Sequence, residues 1–103
     1  MRILLKINIP VEAGNAAAKD GSMGSTMGAI LEECKPEAAY FVEDNGMRTG
    51  FVVVNIDEPS QIPAIAEPWF QAFNARIELH PAMVIEDLQK AGPAIEAASK
   101  KYG

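Results

Sequence analysis

Residues 2–9, Arg-Ile-Leu-Leu-Lys-Ile-Asn-Ile, alternate along the chain, with Ile3, Leu5, Ile7 and Ile9 on one side and Arg2, Leu4, Lys6 and Asn8 on the other. A two-residue period is that of an extended strand, so this segment reads as a strand with one strongly apolar face. Pro10 stops it, and the following Glu12–Asn15 reads as a turn, with Asn15 as an N-cap. From Ala16 to Lys35 the period lengthens: Met23, Met27, Ile30, Leu31 and Cys34 recur at spacings of three and four, which predicts a helix with a buried stripe. Gly21, Gly24 and Gly28 each cost a helix interior about 1 kcal/mol relative to alanine. The spacing therefore predicts a break near Asp20–Ser22 and a firmer helix from about Ser25. Close packing of helix on sheet accounts for these small residues. Gly-Ser-Met-Gly-Ser-Thr-Met-Gly has neither the Gly-Lys-Ser/Thr of a phosphate loop nor a GxGxxG turn.

The clearest local signal is Asn45-Gly46, a pair suited to the two positive φ angles of a type I′ turn and flanked on both sides by β-rich sequence from Pro36 to Asp57. A two-residue loop fixes the register. It sets Asp44 against Met47, Glu43 against Arg48, Val42 against Thr49, Phe41 against Gly50 and Tyr40 against Phe51. Val52, Val54 and Ile56 then form one row, and Thr49, Phe51, Val53 and Asn55 the other. The first row is the better core.

After a short linker with Ser60 as a helix cap, Ile62, Ile65, Ala66, Trp69, Phe70 and Phe73 trace an amphipathic helix. An aromatic stripe at this spacing reads as core. Pro63 suits a first turn, whereas Pro68 predicts a kink or restart. Residues 75–80 alternate as a fourth strand, Ile77 and Leu79 inward, Arg76, Glu78 and His80 away. Residues 83–102 read as a helix with Ile85, Leu88, Ile95 and Tyr102 inward, interrupted at Gly92-Pro93.

Strand, helix, strand, strand, helix, strand and a final helix is the order of two split βαβ units. It predicts an α+β ferredoxin-like βαββαβ sandwich, one domain over residues 1–103, with both crossover helices on one face of a four-stranded antiparallel sheet. The other sheet face has no cover. Leu4, Lys6, Asn8, Tyr40, Val42, Thr49, Phe51, Val53, Asn55, Arg76, Glu78 and His80 share it, a mixture suited neither to a dry core nor to an ordinary solvated surface. The arrangement resembles the dimeric α/β-barrel superfamily, whose protomers close their open sheet faces on each other, which implies a homodimer. With Lys-Pro-Glu-Ala-Ala-Tyr-Phe, Asn-Gly-Met-Arg-Thr-Gly-Phe and Ile-Pro-Ala-Ile-Ala-Glu-Pro-Trp-Phe, the chain also resembles a small family of uncharacterised bacterial proteins. That resemblance implies no activity. Members of the superfamily include cofactor-independent monooxygenases, lactone isomerases, haem-handling enzymes and binding modules, so the fold selects none of them.

Composition narrows the partners. Of 103 residues, 49% are hydrophobic and 22% charged, enough apolar material for a single core. A net charge of −5 without a basic stripe argues against nucleic acid and anionic membranes. No apolar run approaches the roughly 18 residues of a membrane span, and Lys6 stands too early for a secretory segment, so the expected location is the cytoplasm. The lone Cys34 agrees, and reads as a small core hydrophobe.

His80 is the only histidine and the first choice for proton transfer near neutrality. Glu78, two residues away on the same strand face, would orient the imidazole, and Arg76 or Lys6 would hold an anionic substrate. Asn8, Tyr40, Phe51 and Asn55 complete the expected ligand-binding set. An ordinary histidine at a strand end before proline is the simpler account of His80. No HxH, HExxH or CxxC spacing is present, so no metal or cofactor is expected, and no GxSxG elbow supports a serine nucleophile. Glu32-Glu33, Glu43-Asp44 and Glu86-Asp87 read as solvated charge. Three functions fit: a homodimer holding a small organic molecule on the open face, a cofactor-independent isomerase or monooxygenase with His80 as general base, and an interaction dimer without ligand.

Overall fold

The computed structural model describes residues 1–103. Strand β1 (Arg2–Ile9) leads into helices α1 (Val11–Asp20) and α2 (Met23–Cys34), followed by β2 (Ala38–Asp44), β3 (Met47–Asn55), a 3-10 turn (Pro59–Gln61), α3 (Ile62–Phe73), β4 (Arg76–Pro81), and helices α4 (Ile85–Lys90) and α5 (Gly92–Tyr102). The sheet order is β2-β3-β1-β4 and every pair is antiparallel. This is the α+β ferredoxin-like arrangement that the element order predicts.

Asn45 and Gly46 hold φ of 52° and 78°, so the hairpin turns as its sequence requires. All five predicted pairs, Asp44–Met47 through Tyr40–Phe51, are present. On the other side of β3, β1 pairs from Arg2 opposite Asn55 to Ile9 opposite Arg48, and β4 closes the far edge with Ile77 opposite Ile7 and Leu79 opposite Leu5. Period-two alternation then sends Ile3, Leu5, Ile7 and Ile9 with Val52 and Val54 into the helix layer. There they meet Ile30, Ile65, Trp69 and Phe73. Trp69 is 1% exposed, and its ring stacks on Phe73 with centroids 6.1 Å apart.

Several local expectations are corrected. The first helix starts at Val11, directly after Pro10, so Glu12–Asn15 is helix rather than turn and Asn15 is no cap. An early start brings the buried Gly14 against the sheet, where it lies beside Arg48. The break falls at Gly21, with φ of 79°, inside the predicted interval. Ser60 does not cap α3; it lies inside the 3-10 turn, its hydroxyl donating to Glu58, while Gln61 Oε1 accepts the Glu58 N–H at 3.0 Å. Helix α3 runs unbroken through Pro68, because burial of Ile65, Ala66, Trp69 and Phe73 holds both halves on the sheet. Phe70, by contrast, is exposed.

The largest departure is at the C-terminal end. Ile85, Leu88, Ile95 and Tyr102 do not face inward; all are exposed, and neither α4 nor α5 buries a residue. The interruption falls at Ala91, next to the predicted Gly92-Pro93. By then α1, α2 and α3 already cover the helix side of the sheet, and the last two helices project as an arm. The chain measures 58 × 29 × 20 Å with a radius of gyration of 17.1 Å, against about 13 Å for a rounded domain of this length.

Two substitutions check this account. Trp69→Ala should cost about 3–5 kcal/mol in urea unfolding, as large-to-small changes at filled aromatic sites do. Gly46→Ala should cost about 1–2 kcal/mol, since a side chain at positive φ is strained although space for it is open. An unaffected midpoint in either variant contradicts the packing or the turn described.

Candidate functional site on the open sheet face

The sheet face opposite α1–α3 carries every residue singled out for chemistry, because all of them occupy the alternate positions of their strands. Register fixes their neighbours: Lys6 lies between Phe51 and Glu78, Asn8 between Thr49 and Arg76, and Leu4 between Val53 and His80. Tyr40 is beside Phe51 on the outer strand. Tyr40 at 68% exposure and Val42 at 43% stand open to solvent, while Leu4, Phe51 and Val53 are half-buried.

One end of the face is a connected polar group. Lys6 Nζ meets Asp44 Oδ2 at 2.9 Å across the intervening β3. Beside them Asn8 Nδ2 donates to Thr49 Oγ1 at 2.8 Å, and the Thr49 hydroxyl donates to the Met47 carbonyl. Asn8 and Thr49 are the two buried polar residues of the chain, and this pairing satisfies them. The hydrogen bond to Asp44 raises the Lys6 ammonium above its ordinary 10.5 against a partial desolvation, with the charges of Asp44 and Glu78 adding to the rise. The same hydrogen bond holds the Asp44 carboxyl below its ordinary 3.8, with desolvation opposing and the Lys6 charge and Asn8 assisting. Arg76, next to Asn8, has no carboxylate within 4 Å and is the free cation of the face.

The proposed proton-transfer pair sits at the edge strand. His80 Nε2 lies 3.7 Å from Glu78 Oε2, beyond hydrogen-bonding distance, with both side chains at least half exposed. Asn55 stands four residues along β1 from Lys6, about 13 Å at strand rise. It accepts a hydrogen bond from the Met1 ammonium at 2.8 Å. The expected set thus divides into a cluster of Lys6, Asn8, Tyr40, Phe51 and Arg76, a neighbouring Glu78–His80 pair, and a remote Asn55. Asp44 and Thr49 belong to the cluster and were not in the expected set. The hairpin register places both on this face, which is the signal that identifies them; Asp44 reads as solvated charge only if its partner across β3 is overlooked.

None of the chain's concavities contains Lys6, Asn8, Tyr40 or His80. Cys34 lies in the helix layer, half-buried, its thiol pushed up by that burial, which disfavours a thiolate nucleophile. No group of three His, Cys, Asp or Glu side chains is placed to hold a metal ion, and no helix is long and apolar enough to cross a membrane.

A family model described as a domain of unknown function, DUF3303, matches residues 8–96. The chain belongs to the DUF3303 family. The match spans the end of β1, both following helices, the whole hairpin, α3, β4, α4 and the first part of α5, so Asn8, Tyr40, Asp44, Thr49, Phe51, Arg76 and the Glu78–His80 pair fall inside the DUF3303 region and Lys6 lies just before it. No curated protein matches the chain. Among solved structures it is similar to a formyltetrahydrofolate deformylase from Pseudomonas putida KT2440, at 18% identity and a TM-score of 0.49 over 80% of this chain, which spans 29% of that one. It is also similar to the de novo designed protein Ferredog-Diesel, at 9% identity and a TM-score of 0.47 over 79% of this chain and 85% of that one.

The Lys6–Asp44 pair has a pH signature. A depressed Asp44 stabilises the fold above its unfolded value of 3.8, and that contribution is lost as pH falls through the lower folded value. A raised Lys6 stabilises below 10.5 and loses its contribution as pH rises through the higher folded value. The pair therefore persists across the neutral range. Carbon-detected NMR should find the Asp44 carboxyl titrating below 3.8, and Asp44→Asn should bring the Lys6 titration down; an Asp44 midpoint at or above 3.8 contradicts the geometry.

Proposed function

We propose that this DUF3303 protein is a cytoplasmic homodimer that encloses a small organic molecule between two open sheet faces, as in the dimeric α/β-barrel arrangement. The observation that carries the reading is the uncovered face itself: exposed Tyr40 and Val42 with half-buried Leu4, Phe51 and Val53, set around a polar cluster that is already internally hydrogen-bonded. A contiguous apolar patch on a sheet is characteristic of a buried interface. No concavity of the single chain holds Lys6, Asn8, Tyr40 or His80, so a second copy must supply the opposite wall of any enclosure. Within it, Arg76 is free to meet an anionic group, Asn8 and Lys6 are held in place by Thr49 and Asp44, and Tyr40 and Phe51 offer aromatic surface.

The 3.7 Å approach of His80 and Glu78 supports a second reading on the same dimer. A carboxylate drawn into hydrogen-bonding reach would orient the imidazole to act as general base in a cofactor-independent isomerase or monooxygenase. In that case Arg76 or Lys6 stabilises negative charge on the substrate.

Native mass spectrometry of protein purified from its own host tests both parts, because it reports oligomer and retained molecule together. The expected result is a dimer carrying added mass, reduced to monomer with unchanged circular dichroism by the double substitution Tyr40→Glu and Val42→Glu. A wild-type monomer at micromolar concentration overturns the reading. Turnover of the retained molecule by the wild type and its loss in His80→Ala would identify the base, whereas equal turnover in the two removes His80 from the chemistry.

A further inference from the structure

The helix-facing side of the β2–β3 hairpin holds a second feature, whose rim reaches Val42 and Thr49 of the open face. Alternation sends Phe41 and Glu43 of β2, and Arg48 and Gly50 of β3, toward the helices. Helix α2 presents Met23 and Met27, four residues apart and therefore on one side of the helix, to the same space. Met23, Met27, Phe41, Glu43 and Arg48, with Ile9, Val42 and Thr49, line a groove of 370 Å³ that opens beside the edge strand.

Two glycines shape this groove. A Cβ at Gly50 would approach the Phe41 ring to 3.1 Å, so the bare backbone lets the ring lie against β3 while leaving it half exposed. A Cβ at Gly14 of α1 would fall 2.6 Å from Arg48 Nη1, so the guanidinium lies across α1 where only glycine leaves room. Its Nη1 donates to Asn15 Oδ1 at 3.1 Å. Arg48 meets no carboxylate within 4 Å, since the four ion pairs of the chain engage Arg2, Lys6, His80 and Lys100. Glu43, its cross-strand neighbour, instead accepts the Gly46 N–H at 2.8 Å, at the hairpin turn. A guanidinium has five N–H donors, and one side-chain oxygen is all that Arg48 engages.

A groove with adaptable methionine walls, a Glu43 carboxylate engaged at the hairpin turn and one positioned guanidinium free of ion pairs suits a small molecule with an apolar body and one anionic group. We infer that the groove between α2 and the β2–β3 hairpin binds a small amphipathic monocarboxylate, its alkyl or aromatic body against Phe41, Met23 and Met27 and its carboxylate on Arg48. The volume is at the small end of the roughly 300–1,000 Å³ usual for such sites, which limits the body to a medium chain or a single ring.

Three probes of equal length and different charge decide the matter: octanoate, 1-octanol and octylammonium, each titrated into the full chain and followed by amide NMR. Octanoate should shift the amides of Met23, Met27, Phe41 and Arg48 and bind at least about tenfold more tightly than either of the others, the discrimination expected of one charge-assisted pair. Arg48→Gln should bring octanoate down to the affinity of octanol, Gly14→Ala should weaken it by displacing the guanidinium, and Lys90→Gln on the distant α4 should leave it unchanged. Absence of octanoate binding, equal binding of all three probes, preference for octylammonium, shifts confined to other residues, or full affinity in Arg48→Gln would each overturn the assignment. The probe comparison uses the wild-type chain alone, so it stands even if a variant fails to fold.

Discussion

The pairing of β1 with two neighbours is the constraint on which the rest depends. As an inner strand it has β3 on one side and β4 on the other, and its register with both decides which side chains of the entire sheet share a face. Ile3, Leu5, Ile7 and Ile9 are nearly inaccessible to water because Val52, Val54, Ile77 and Leu79 stand beside them in phase and the helices cover the row they form. A slip of one residue would turn that apolar row outward and bring Lys6 and Asn8 under the helices, at the cost of desolvating a charge. The hydrophobic demand of one face thereby positions the polar cluster of the other.

The two faces of the hairpin show how one backbone serves different surroundings. Toward the helices, Gly50 lets Phe41 lie flat and Gly14 lets Arg48 cross α1, so close approach rather than flexibility explains these glycines. Away from the helices, Thr49 satisfies Asn8, and Asp44 reaches across β3 to Lys6. Glu43 and Arg48 oppose each other in the ladder, as the hairpin predicts, yet form no ion pair. Each finds a nearer partner, Gly46 at the turn and Asn15 on α1. Exposed ion pairs contribute little, so local hydrogen bonds readily redirect such side chains.

The C-terminal arm marks the limit of reasoning from amphipathic spacing. Ile85, Leu88, Ile95 and Tyr102 have the periodicity of a buried helix stripe, and they lie exposed. Spacing reports that a stripe exists; whether a surface remains to receive it depends on how much of the sheet the other helices already occupy. The same distinction explains Pro68, where burial on both sides of the proline outweighs a missing backbone hydrogen bond.

What the sequence determined by itself was whatever rests on local stereochemistry and short periods: the four strands, the turn at Asn45-Gly46 with its register, the break at Gly21, and the sorting of Lys6, Asn8, Tyr40, Phe51, Arg76, Glu78 and His80 onto one face. These follow from alternation and positive-φ preferences, which act over a few residues. The tertiary structure decided the start of α1 at Val11, the outward arm, the Lys6–Asp44 and Asn8–Thr49 pairings, the remoteness of Asn55 and the seat of Arg48 over Gly14. Each of these depends on which elements come to lie side by side, and Arg48 and Gly14 are neighbours only because α1 folds back across β3, far away along the chain.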